Sequence, residues 1–154
     1  MPRWAAGFLA TMLVTGLAHA QPVLSDNELF ASYCLGYLKE NLRLVIQVSP
    51  ANDPCVETPG IAPHCAKIND LWRQAYNNVQ TNIGRLRSYL LVRGVLTLRD
   101  ELPILVGFKT AIERGAADQR ACGEHAITDY PNLRKDYPEC VRASRCEDLS
   151  RIPF

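Results

Sequence analysis

A stripe of apolar residues with helical spacing crosses the middle of the chain and constrains the fold more than any other feature. Its members advance by three or four residues at a time: Ile68, Trp72, Ala75, Val79, Ile83, Leu86, Leu90, Gly94 and Leu98. Such spacing places them on one face of a single long α-helix. Because glycine weakens a helix, a bend or break near Gly94 is the alternative to a continuous helix.

A helix before this one has a recognisable start. Ser25-Asp26-Asn27-Glu28 is a capping box, in which the serine and glutamate side chains satisfy each other's backbone N–H groups. Ser49-Pro50 marks its end, and prolines recur through residue 63. Its apolar face comprises Phe30, Tyr33, Cys34, Tyr37, Leu38, Leu42, Val45 and Val48.

A third helix is predicted to begin at Asp100–Pro103 and to fade between Gly115 and Gly123. Two Asp-Tyr-Pro units follow, and turns with one short helix are expected beyond them. No stretch alternates apolar and polar residues long enough to build a sheet. The sequence therefore predicts an all-α fold, a small disulfide-stabilised bundle of three main antiparallel helices with a proline-rich loop and an irregular C-terminal segment.

The first twenty residues have the pattern of a secretory signal peptide. Arg3 is followed by the uncharged, mostly apolar stretch 4–17 and by the small-x-small site Ala18-His19-Ala20. An uncut membrane anchor is the alternative, but Trp4 to Ala20 is at the low edge of the roughly 17–25 residues that span a bilayer. We expect a single helical domain over residues 21–154, periplasmic or secreted, with no stable membrane insertion after cleavage.

The charge of the predicted mature chain is balanced. Of 17 basic residues the leader carries only Arg3, which leaves 16 against 16 acidic residues. Net charge therefore does not favour nucleic acid as a partner. A locally basic stretch in the middle of the chain is interpreted as a solvated helix face; it comprises Arg85, Arg87, Arg93 and Arg99.

All six cysteines follow the leader, which predicts three disulfides in an oxidising compartment. Six cysteines allow fifteen pairings. Helix lengths and loop lengths favour three of these: Cys34 with Cys122, Cys55 with Cys65, and Cys140 with Cys146. The main alternative pairs Cys34 with Cys55 or Cys65, since the loop between the first two helices is long enough to fold back.

Catalytic and metal-binding patterns are sparse. His64 and His125 are the only histidines after the leader, and neither lies in a recognisable nucleophile context. One zinc hypothesis combines His64-Cys65 with Cys122 and His125, although disulfides compete for the same sulfurs. No cofactor is expected. A small periplasmic hydrolase or metal-dependent enzyme using His64 or His125 is the alternative function.

Three features are candidates for binding a partner. Tyr130 and Tyr137 stand in the Asp-Tyr-Pro units, where each ring has a carboxylate beside it, although both rings can instead pack onto the helices. The second candidate is the proline-rich loop at 49–64. The third is a polar strip on the long helix: Asn77, Asn78, Gln80 and Asn82. We expect a non-enzymatic protein that binds another protein as an inhibitor, immunity-type partner or envelope accessory factor.

Overall fold

The structure, a computed structural model, describes residues 25–52, 54–57, 59–60, 64–97 and 105–154. The predicted signal peptide and the predicted start of the third helix at Asp100–Pro103 lie outside these ranges. The described residues contain helices and no strand, which confirms the all-α prediction. The helices are α1 (Asp26–Gln47), α2 (Cys65–Val92), α3 (Val106–Thr128), α4 (Leu133–Asp136) and α5 (Pro138–Ser144), with 3₁₀ turns at Tyr130–Asn132, Arg145–Glu147 and Leu149–Arg151.

Helix α1 begins as the capping box predicts. The Glu28 N–H donates to Ser25 Oγ at 3.3 Å, and the Ser25 N–H donates to Glu28 Oε2 at 3.2 Å. This helix is the central element, because it packs against both α2 and α3, whereas α2 and α3 scarcely touch within the described residues. Its side chains Ala31, Leu35 and Leu38 are buried in the hydrophobic core.

Helices α1 and α3 run in the same direction. Glu40 pairs with Arg120 at 3.4 Å, and the next contact along both helices brings Gly123 against Leu44. Helix α2, which lies between them in the sequence, runs in the opposite direction. Its N-terminal part lies beside the last turn of α1, where the Trp72 indole donates to the Val45 carbonyl at 2.7 Å. The three long helices therefore follow an up, down, up course.

Two glycines allow α1 and α3 to approach closely. A Cβ atom on Gly36 would overlap the backbone of Ile112, and a Cβ atom on Gly115 would overlap the carbonyl of Tyr33. Helix α3 continues through Gly115 to Thr128, so the prediction that it fades between Gly115 and Gly123 is wrong. The missing side chain, which weakens an isolated helix, is here what lets the backbones meet.

Helix α2 ends before Gly94, so the predicted alternative of a break there is correct. Gly94 has φ +70°, a left-handed conformation that suits glycine at a helix C-terminus. The Val95 and Leu96 N–H groups both donate to the Leu90 carbonyl, at 2.8 and 3.3 Å. This reversal turns the side chains of Val95 and Leu96 into the core, where both are buried.

All six cysteines are paired in three disulfides. The short-range bond between Cys55 and Cys65 was predicted correctly. The predicted bond between Cys34 and Cys122 is wrong, because Gly123 packs on Leu44, ten residues beyond Cys34 and so roughly 15 Å farther along α1. Cys122 instead meets Cys140 of α5.

The predicted bond between Cys140 and Cys146 is also wrong. The residues between them form the end of α5 and the start of a 3₁₀ turn, so these two cysteines face different neighbours. Cys140 faces α3, while Cys146 crosses to α1 and bonds Cys34 over 112 residues of sequence. The C-terminal segment is thereby held over α1 and α3, with Leu149 and Ile152 in the core.

Candidate functional site

His64 lies in the linkage that holds the proline-rich loop to the start of α2. Its Nδ1 is 3.4 Å from Glu57 Oε2, and the other oxygen of Glu57 accepts the Cys65 N–H at 3.1 Å. The Cys55–Cys65 disulfide closes the same short loop. Glu57 and the disulfide therefore fix the loop end against the first turn of α2.

The residues of the zinc hypothesis are not free to bind zinc together. Possible ligand atoms of Cys55, His64 and Cys65 lie within 4.8 Å of one another, but both sulfurs belong to one disulfide and offer no thiolate. Cys122 is bonded to Cys140, so the hypothesis of a zinc site formed by His64, Cys65, Cys122 and His125 is ruled out. The compact geometry of the disulfide-bonded loop explains the closeness of these groups without a metal.

His125 helps to hold the end of α3 against α5. Its ring stacks on Tyr137 with 3.8 Å between centroids, and its Nε2 is 3.0 Å from Glu139 Oε1. The Tyr137 hydroxyl donates to Asp129 Oδ2 at 3.2 Å, and Asn132 donates to the other oxygen at 2.8 Å. Burial, followed by the hydrogen bond to Asp129, raises the pKa of Tyr137.

Neither histidine lines any of four cavities of 250 to 630 Å³ on the described surface. Each histidine faces a glutamate across the joint that it helps to close. An enzyme using His64 or His125 stays a hypothesis, and this geometry assigns both rings a structural role.

The two predicted partner-binding tyrosines lie in different environments. Tyr137 is engaged by His125 and Asp129, whereas Tyr130 is 74 % exposed. Tyr130 borders a cavity of about 540 Å³, shared with Tyr37 and Arg134. Partner binding by these residues stays a prediction, and Tyr130 is the ring of the two that is free to contact another molecule.

The end of the α1–α2 hairpin exposes several large apolar side chains, which we call the tip surface. Its members are Ile46, Val48, Val56, Ile68 and Leu71. They are five of the eleven large hydrophobic residues that are exposed on the described chain, yet they fall within 26 residues of sequence. Large apolar side chains gathered at one end of a small protein are typical of an interaction surface.

The tip surface includes the part of the apolar stripe on α2 that is not covered by another helix. The stripe predicted one buried face for the whole of α2, and its second half is buried as expected at Val79, Ile83 and Leu86. Its first half differs, because Ile68 and Ala75 are exposed. Periodicity identifies the face of a helix, but it cannot identify how far along that face another element packs.

A cluster formed by Asp118, Arg142 and Tyr33 joins α3, α5 and α1 toward the N-terminal end of α1. Asp118 accepts from Arg142 through both carboxylate oxygens, at 2.9 and 3.1 Å, and from the Tyr33 hydroxyl at 2.8 Å. Burial alone would raise the pKa of Asp118, but these hydrogen bonds and the charges of Arg142 and Arg114 outweigh it, so that pKa lies below its usual range. Burial and Asp118 raise the pKa of Tyr33.

None of these partners is visible in the sequence as a motif, because Tyr33, Asp118 and Arg142 are separated by 85 and 24 residues.

No described helix is long and apolar enough to cross a membrane. Comparisons of the chain with protein-family models, with curated proteins and with solved structures found no significant match.

Proposed function

We propose that this chain is an exported, non-enzymatic protein that binds another protein through the tip surface. The observation that carries the proposal is the concentration of exposed apolar side chains at the end of the α1–α2 hairpin. Removal of apolar surface from water is the dominant favourable term in most protein–protein association. Export is supported by the three disulfides, which are typical of oxidising compartments.

The tip surface is held in place before any partner arrives. The Cys55–Cys65 disulfide closes the loop, and the Trp72 indole bonds the Val45 carbonyl. The Asn52 side chain donates to the Ile46 carbonyl at 2.9 Å, which fixes the chain just after α1. A surface ordered in the free protein loses less conformational entropy on binding.

Two ion pairs lie near the tip surface. Arg73 pairs with Asp70 at 3.0 Å, and Arg43 pairs with Glu40 at 2.7 Å. The partner has to present a complementary apolar patch on a folded protein, because the side chains that form the tip surface are uncharged. Binding of this kind depends only weakly on ionic strength.

Site-specific photo-crosslinking tests this proposal. A photoreactive amino acid is placed at Val56, which is 79 % exposed on the tip surface, or at Val106, which is 81 % exposed at the start of α3. Each oxidised protein is irradiated in extracts of cell envelope and culture supernatant. We expect one defined product from position 56, lost when Leu71→Asp is also present, and none from position 106. Equal labelling from both positions would show that the tip surface is not the binding site.

A further inference from the structure

A groove lies between α1, α3 and the C-terminal segment, away from the tip surface. It is a groove of about 400 Å³, which is within the size range of sites for small molecules. Three chain segments that are distant in sequence line it, through Leu29, Phe30, Tyr33, Gly107, Thr110, Ala111, Arg114, Arg142 and Arg145. We call it the arginine groove.

The lining of the arginine groove is positively charged. It contains three arginines and no carboxylate. Asp118, beneath it, accepts from Arg142 and so compensates one of the three charges. Within the described residues Arg114 has no ion pair, and the Arg145 guanidinium lies 5.8 Å from the ring centroid of Phe30. Two guanidinium charges are therefore left to attract an anion.

The rest of the lining is apolar. Leu29 and Phe30 form one wall and Ala111 belongs to the other. An inorganic anion would use the arginines and leave this apolar wall in water, while a neutral hydrocarbon would leave the guanidinium groups without a partner. A molecule with an apolar body and one carboxylate satisfies both, because arginine matches the geometry of a carboxylate with two parallel hydrogen bonds.

Part of the groove is held in place without a ligand. Arg142 is fixed from behind by two hydrogen bonds to Asp118, and Arg145 precedes Cys146, which is bonded to Cys34 of α1. Tyr33 has its hydroxyl on Asp118, so it contributes a ring wall and no free donor. These contacts give the site the preformed shape and the few convergent polar groups of a ligand site.

A larger cavity of about 630 Å³ lies beside the C-terminal half of α2, and it provides an internal comparison. Its Arg85 guanidinium already lies 4.1 Å from the ring centroid of Phe154. Successive turns of one helix and two terminal residues form most of its lining, whereas the arginine groove is built by three packed elements.

We infer that the arginine groove binds a small amphipathic carboxylate, with the carboxylate on Arg114 and Arg145 and the apolar body against Leu29 and Phe30. This inference is independent of the proposed protein partner, which contacts the other end of the hairpin. The shared chemistry, an apolar chain with one anionic head, is also that of an anionic lipid in a membrane. The test therefore separates a free ligand from a membrane surface.

Calorimetric titration of the oxidised protein with decanoate, decanol and decyltrimethylammonium, each below its micellar concentration, tests the inference. We expect decanoate to bind one site at least about tenfold more tightly than decanol, and the cation to bind more weakly than either. Arg114→Gln should bring decanoate to the affinity of decanol. Arg85→Gln, the matched control in the other cavity, should leave decanoate binding unchanged.

Ala111→Leu, which narrows the groove, should weaken decanoate and decanol together. Circular dichroism establishes that each variant is folded. Unchanged decanoate binding in Arg114→Gln, or loss of binding in Arg85→Gln instead, would overturn the inference. So would adsorption to vesicles of phosphatidylglycerol without any binding of monomeric decanoate, because that result assigns the arginines to a membrane surface.

Discussion

Arg142 of α5 holds both carboxylate oxygens of Asp118 of α3, through Nε at 2.9 Å and Nη2 at 3.1 Å. This contact fixes the C-terminal segment to the long helices at a point where the carboxylate is almost fully buried. The Tyr33 hydroxyl adds a donor from α1, so one carboxylate joins three elements.

Replacing this carboxylate should destabilise the whole domain. The two carboxylate oxygens of Asp118 accept three hydrogen bonds, whereas the side chain in Asp118→Asn has only one oxygen to accept them. The Arg142 charge also loses its partner. Hydrogen bonds to charged groups contribute about 1.5–3 kcal/mol, so we expect a loss of about 2–3 kcal/mol in the free energy of unfolding. Urea denaturation measures it, and the exposed pair Arg73–Asp70 provides a control, since Asp70→Asn should cost less than about 1 kcal/mol.

The same carboxylate predicts a pH dependence. The pKa of Asp118 is lower in the folded protein than its ordinary value, so its contribution is complete above the unfolded pKa of about 3.9 and is lost as the pH falls through the folded value. The difference in unfolding free energy between the wild type and Asp118→Asn should be constant from pH 7 to about 5 and shrink below about 4. A difference that grows on acidification would contradict the assignment.

Glycine substitutions should separate packing from helix propensity. Gly115→Ala places a Cβ atom on the Tyr33 carbonyl and forces α1 and α3 apart, whereas Gly84→Ala places it in open space. We expect Gly115→Ala to lower stability by about 1–3 kcal/mol and Gly84→Ala to raise it by about 1 kcal/mol. Thermal unfolding of the two variants compares them directly. A gain in stability in both variants would show that α1 and α3 are not in close contact.

The contribution of each disulfide to the free energy of unfolding should increase with the length of chain that it closes. The Cys34–Cys146 bond spans 112 residues and the Cys55–Cys65 bond spans 10. Chain entropy then gives about 4.8 kcal/mol for the first and about 2.7 kcal/mol for the second. Denaturation of the two double serine variants measures both. Equal losses would indicate that the C-terminal segment stays near α1 when the chain unfolds.

Features determined by neighbouring residues were predictable from the sequence. The capping box at Ser25 to Glu28 needs only four residues, and the Cys55–Cys65 loop is too short to leave many other partners. A break of α2 near Gly94 could be given as an alternative because glycine readily adopts the left-handed conformation in which a helix ends. The all-α fold likewise follows from periodicity, which each helix carries within its own segment.

Features that depend on the register between helices were not predictable. The position of Cys122 relative to Cys34 depends on the register between α3 and α1. The contact of Gly115 with Tyr33 fixes this register. The arginine groove and the Asp118 ion pair form only when three distant segments have packed. The tip surface was foreseen only in its loop, because the stripe on α2 does not show that Ile68 lacks a neighbour.

Titration of the purified partner, once identified by crosslinking at Val56, tests the central claim most directly. Leu71→Asp on the tip surface should weaken binding by at least about thirtyfold, as expected for a central apolar contact. Val106→Asp, at the start of α3, should change the dissociation constant by less than about twofold, the small effect expected outside the interface. Raising the salt concentration should have little effect on the wild type. Equal affinities for both variants, or binding abolished by salt, would contradict an apolar interface at the tip of the hairpin.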